Sequence, residues 1–218
     1  IRGTRGGGRV CSEAEACKAR TENPEIFRGW YDLGGYIPTP IMAIRQARYH
    51  PQFFLVTIPL VTYDAIITFI PRVRVKIGDW IFDPVEWNKR YGNIIDGVKA
   101  GVELDEVEVK ALIAYLNSTF NWLWLEQNGR DIAKGPLGLE VSVATRMPIP
   151  NVKLLDRGDV KDLAKLFEEL EGKARELSGL KPATDPTSEE SEESGLKLEM
   201  FAKLKPILQE IDSKIAQI

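Results

Sequence analysis

Apolar and charged positions alternate with a period of two in Arg72-Val-Arg-Val-Lys-Ile77. That period predicts a strand with Val73, Val75 and Ile77 on a buried face and Arg72, Arg74 and Lys76 on a solvent face. Residues 41–47, 53–58 and 64–70 are rich in β-branched and aromatic side chains and are punctuated by Pro40, Pro51, Pro59 and Pro71. They predict further strands. Ile81–Gly97 reads as loop, with Asp83-Pro84 and Tyr91-Gly92 as turn signals. Leu104–Tyr115 reads as a helix, with Asp105, Glu106 and Glu108 at the end where the helix dipole favours acids. A second helix is expected over Ser118–Asn128, capped by Asn117 or Ser118 and followed by Gly129. Leu139–Met147 reads as a strand carrying Leu139, Val141 and Val143 on one face.

After Pro150 the period changes. Val160–Leu177 places apolar residues at 160, 163, 167, 170, 174 and 177, the spacing of an amphipathic helix. Ser178–Gly195, with Pro182, Pro186 and the run Ser188-Glu-Glu-Ser-Glu-Glu-Ser194, reads as a solvated, disordered linker. Helical spacing resumes over Leu196–Ile218, where Pro206 either starts the helix or kinks it. At the other end, residues 1–22 read as a flexible arm around Gly6-Gly7-Gly8. A chain opening on Ile1 is taken as a fragment with further sequence upstream. The expected division is an arm over 1–25, an α+β domain over 26–155 and a helix–linker–helix tail over 156–218. In the α+β domain an antiparallel or mixed sheet from the 41–77 and 139–147 segments would carry the 104–128 helices.

Composition narrows the function. Hydrophobic residues make up 44% and charged residues 28%, the balance of a folded chain rather than a disordered one. The longest apolar stretch, Phe53–Pro71, is broken by Thr57, Pro59, Thr62, Tyr63 and Asp64, so no membrane span is expected. With no signal peptide visible, the chain reads as cytoplasmic. Cys11 and Cys17 are expected to stay reduced there. One histidine, His50, and two distant cysteines do not build a zinc site of ordinary spacing. The net charge of −3 is unevenly spread, because residues 1–100 carry 14 Lys/Arg against 10 Asp/Glu. A polyanion would therefore meet the first half of the chain.

The most distinctive stretch is Tyr115-Leu-Asn-Ser-Thr-Phe-Asn-Trp-Leu-Trp-Leu-Glu-Gln-Asn-Gly-Arg130, continuing to Leu139-Glu-Val-Ser-Val-Ala-Thr-Arg-Met-Pro-Ile-Pro-Asn151. Helix start, aromatic helix, Asn128-Gly129-Arg130 exit and a strand stopped by prolines follow one another. This order resembles the target-recognition region that follows the catalytic domain in adenine-specific DNA methyltransferases of restriction–modification systems. The resemblance spans about residues 26–155 and is strongest over Ala114–Asn151. The aromatic opening Trp30-Tyr31-Asp-Leu-Gly-Gly35 and a strand leading to Arg45 and Arg48 also fit the family's pattern.

What the resemblance implies is a reader of double-stranded DNA. Its contacts would come from Arg45, Arg48, Arg72, Arg74, Lys76, Arg130 and Lys134, with Trp30 and Tyr31 beside them. Arginine suits bidentate contact with guanine or phosphate, and the small residues Gly129 and Gly135 let a DNA backbone come close. Against this, exposed cations are ordinarily just solvated, and the aromatic positions Phe120, Trp122, Trp124 and Leu125 have the spacing of a core. Trp122 and Trp124, about 200° apart on a helix, cannot share a face, so one should be buried.

The family's catalytic residues have no counterpart. Asn23-Pro24-Glu25-Ile26 and Asp83-Pro84-Val85-Glu86-Trp87 share only two letters with the Asn/Asp-Pro-Pro-aromatic tetrapeptide that holds a flipped adenine. Gly6-Gly7-Gly8 follows no strand and makes a poor nucleotide loop. S-adenosylmethionine is accordingly expected in a partner methyltransferase domain or subunit. The tail would dock on that partner or assemble a homo-oligomer. The alternative is a non-enzymatic interaction or scaffold module acting through the amphipathic tail.

Overall fold

In the computed structural model the described residues are 4–5, 9–10, 18–19, 21–22, 37–47, 50, 52–58, 66–131, 137–178 and 190–218. Within the expected arm, β1 (Thr4–Arg5) and β2 (Arg9–Val10) pair antiparallel. The strand-rich segment forms β3 (Ile41–Ile44), β4 (Gln46–Ala47), β5 (Phe53–Leu55), β6 (Ile66–Phe69), β7 (Arg74–Ile77) and β8 (Trp80–Phe82). There follow α1 (Pro84–Tyr91), β9 (Glu103–Leu104), α2 (Glu106–Leu116) and α3 (Thr119–Asn128). Then come β10 (Arg130–Asp131), β11 (Leu137–Gly138), α4 (Val141–Ala144), a 3-10 turn at Val152–Leu154, α5 (Arg157–Ser178) and α6 (Glu190–Ile215).

The class is α+β, as expected, but the strands do not share one sheet. Among the described residues there are, besides the β1–β2 pair, three sheets of three strands, ordered β5-β3-β6, β10-β11-β4 and β8-β7-β9. All ladders are antiparallel except β7 with β9, where Arg74 faces Glu103 and Val75 faces Leu104. Helix α2 is what the pieces share. A reciprocal cap starts it: the Asp105 carboxylate accepts the Glu108 amide, and the Glu108 carboxylate accepts the Asp105 amide, both at 2.9 Å. Val109, Ala111, Leu112, Ile113, Ala114 and Leu116 are all buried. A helix that is apolar nearly all round has to be covered on several sides, and α2 packs against β5, β7, α3, α5 and α6.

The tail completes that cover. Val160, Leu163, Phe167 and Leu170 of α5 are buried, as are Leu208 and Ile211 of α6. These side chains belong to the same apolar cluster as Ala43, Phe53, Val75 and Ile113. Lys214 near the end of α6 reaches Asp159 at 2.8 Å and Asp162 at 2.7 Å on α5. No described helix is long and apolar enough to cross a membrane.

Four local expectations are corrected. Ile81–Gly97 is not loop: it holds the end of β8 and all of α1. Asp83 caps α1, accepting from the Val85 and Glu86 amides, and Pro84 occupies the first turn, where its missing N–H costs nothing. Leu139–Met147 is not a strand. Leu139, Val143 and Met147 are buried while Val141 is 69% exposed, so the segment buries every fourth residue around the short helix α4. Of the expected acidic linker, Ser178 ends α5 and Glu190–Gly195 already belong to α6, inside which Pro206 stands, while residues 179–189 lie outside the described residues. The expectation that one of Trp122 and Trp124 is buried also fails; both are half-buried.

Candidate nucleic-acid interface

The period-two stripe is built as the pattern demands. Val75 and Ile77 are each 2% exposed, while Arg74 and Lys76 point outward from β7, and Arg72 is exposed just before it. Arg74 does not stand alone. Its Nε lies 3.2 Å from the Glu103 carboxylate directly across the ladder to β9. The Arg72 guanidinium lies over Gly97, where a Cβ would sit 3.5 Å from its Nη1.

Two further expected cations lie elsewhere. Arg45 immediately precedes β4, and its carbonyl accepts the Leu139 amide at 2.8 Å. Gln46 of β4 pairs with Gly138 of β11, which pairs with Arg130 of β10. Residues from opposite ends of the expected recognition region thus meet in one small sheet. Arg130 Nη1 lies 3.0 Å from the Glu140 carboxylate, with the arginine side chain 73% exposed. Gly129 makes the junction with α3 possible by size rather than by backbone conformation. Its φ is −71°, but a Cβ would lie 2.6 Å from the Leu125 carbonyl and 2.8 Å from Leu137 Cδ1.

The expected basic residues therefore do not share one sheet: Arg74 and Lys76 stand on β7 with Arg72 just before it, Arg130 opens β10, and Arg45, half-buried, precedes β4. Trp30, Tyr31, Arg48 and Lys134, like Cys11 and Cys17, lie outside the described residues. On α3, Asn121 and Leu125 face inward while Phe120 and Leu123 are exposed. Trp124 packs on the core, and Trp122 stacks on His50 at 6.0 Å between ring centroids with planes 10° apart.

A third charged region is already satisfied from within. Lys153 reaches Glu108 at 2.7 Å, Arg157 reaches Asp105 at 2.6 Å, and Lys110 bridges Glu106 and Glu168 at 2.7 and 2.6 Å. Hydrogen bonding to Lys110 holds the Glu106 carboxyl below its ordinary value, outweighing partial burial. Burial pushes Asp105 up, yet the Glu108 amide and the Arg157 guanidinium together carry it below its ordinary value. These ion pairs brace α2 to α5 and to the 3-10 turn before it.

Three residues went unremarked as structural links. Asn117, foreseen only as a possible cap, instead ties α2 to β5: its Oδ1 accepts the Phe53 amide at 3.1 Å, and its Nδ2 donates to the Phe53 carbonyl at 2.8 Å and to the Ile113 carbonyl at 3.0 Å. Asn121 is fully buried and donates to the Leu116 carbonyl at 2.6 Å. His50 lies against both Trp122 and Phe201. The sequence offers no signal for the last two. Comparison of the chain with protein-family models, with curated proteins and with solved structures gave no match.

Proposed function

We propose that this chain is the target-recognition portion of an adenine-specific DNA methyltransferase, working in the cytoplasm and binding double-stranded DNA for a catalytic domain or subunit that carries S-adenosylmethionine. The observation that carries the reading is the β10-β11-β4 sheet, which brings the backbone beside Arg45 and that of Arg130 to the two sides of one strand, next to the aromatic helix whose sequence resembles that family. The acidic partners of Arg130 and Arg74 do not argue against it. Exposed ion pairs of this kind are worth about 0–1 kcal/mol, so a phosphate can take the place of Glu140 or Glu103. The tail-centred interaction reading has less support, since the stripes of α5 and α6 are buried against α2 and each other.

Fluorescence anisotropy of a labelled duplex at about 50 and about 200 mM salt tests the proposal. Binding should weaken steeply with salt, and Arg45→Ala and Arg130→Ala should each lower the salt slope by about one. No binding at the lower salt, or slopes unchanged in both variants, would remove this surface from the reading.

A further inference from the structure

A cavity of about 650 Å³ lies between the strands and the tail, bordered on the strand side by Gln46 and Ala47 of β4. Phe53 and Phe54 of β5 form one wall, Phe167 and Leu170 of α5 a second, and Phe201 and Leu204 of α6 a third. Small-molecule sites are clefts or cavities of about 300–1,000 Å³.

Its walls are tied together by bonds between the elements that form them. Asn117 pins the β5 wall to α2 through both backbone groups of Phe53, and Lys214 ties α6 to α5. Closure would have to break these bonds. The charges on the lining cancel each other, because Arg175 Nη2 lies 2.8 Å from the Glu171 carboxylate. An anion would meet Glu171 and a cation would meet Arg175. The uncharged amides of Gln46 and Gln52 add donors and acceptors at the strand side.

We infer that this cavity binds an uncharged, mainly apolar small molecule bearing aromatic rings. The test is a titration of the full chain with the neutral dye N-phenyl-1-naphthylamine, with the anionic 1-anilinonaphthalene-8-sulfonate in parallel, read by fluorescence and calorimetry. The neutral dye should bind saturably at one site, at least about tenfold more tightly than the anion. Ala174→Trp, which puts an indole into the space, should weaken that binding at least about tenfold while the circular dichroism spectrum is kept. Met200→Trp, at the α6 side of the lining, serves if the first variant does not fold. Absence of saturable binding, equal affinity for the anion, or full affinity in a folded tryptophan variant would each overturn the inference. No DNA is present in this titration, so its outcome is independent of the proposed function.

Discussion

Asn117 closes α2 and joins it to a strand far away in sequence, with one side-chain amide making all three bonds. Asn117→Ala would leave the Phe53 amide and carbonyl, both buried, without these partners. Each such loss costs about 1–3 kcal/mol. Urea denaturation should therefore show a fall in midpoint well beyond that of an average surface change, with Asn117→Asp no milder, because its carboxylate would face the Phe53 and Ile113 carbonyls in a buried site. A fall no larger than that of an exposed substitution would contradict the bridging role. Sequence reasoning located Asn117 at a helix junction, since the run Leu116-Asn117-Ser118 carries local capping chemistry. It could not supply Phe53 as the partner, because nothing local selects a strand 64 positions away. His50 and Asn121 were illegible for the same reason: their contacts exist only once distant elements have packed.

At the scale of elements, helices with caps and periodic faces were readable, and short elements were not. The start of α2 was visible in Asp105 and Glu108, and the face of α5 in its threes and fours. Helix α1 was hidden because Asp83-Pro84 serves a turn and a helix start equally well, and α4 because Leu139, Val141 and Val143 fit a period of two until Met147 is counted. The acid cluster at the start of α2 makes a prediction of its own. Asp105 and Glu106 bind protons more weakly folded than unfolded. Their contribution to stability is therefore complete above the ordinary carboxyl values of 3.8 and 4.5 and is lost as pH falls through the lower folded values. Urea midpoints measured from about pH 7 down to about pH 3 should drop at the acid end. Lys110→Met should flatten the drop by removing the first cause of the Glu106 shift; an unchanged profile would show that this pair does not couple to folding.

For the whole molecule, one apolar cluster runs from β3 through α2 to α5 and α6. Phe167, 2% exposed on α5, is as much a core residue as any on the strands. Phe167→Ala should cost about 3–5 kcal/mol in denaturant unfolding, and a loss below about 1 kcal/mol would mean that the tail folds apart from the rest. The β10-β11-β4 sheet differs sharply from this core in how it is held. The β10-β11-β4 sheet consists of strands of two residues each, so only a handful of ladder bonds oppose its opening, whereas α2 is buried on several sides. Stability in a protein is distributed in this uneven way. Backbone amides of Gln46, Arg130 and Gly138 should accordingly exchange with deuterium through small local openings, while those of Val109 to Ala114 exchange only on global unfolding. A duplex gripping Arg45 and Arg130 would have to hold that sheet closed. Part of its binding free energy would then go into ordering the surface, and amide protection at these three positions would rise with DNA while that of α2 stayed the same.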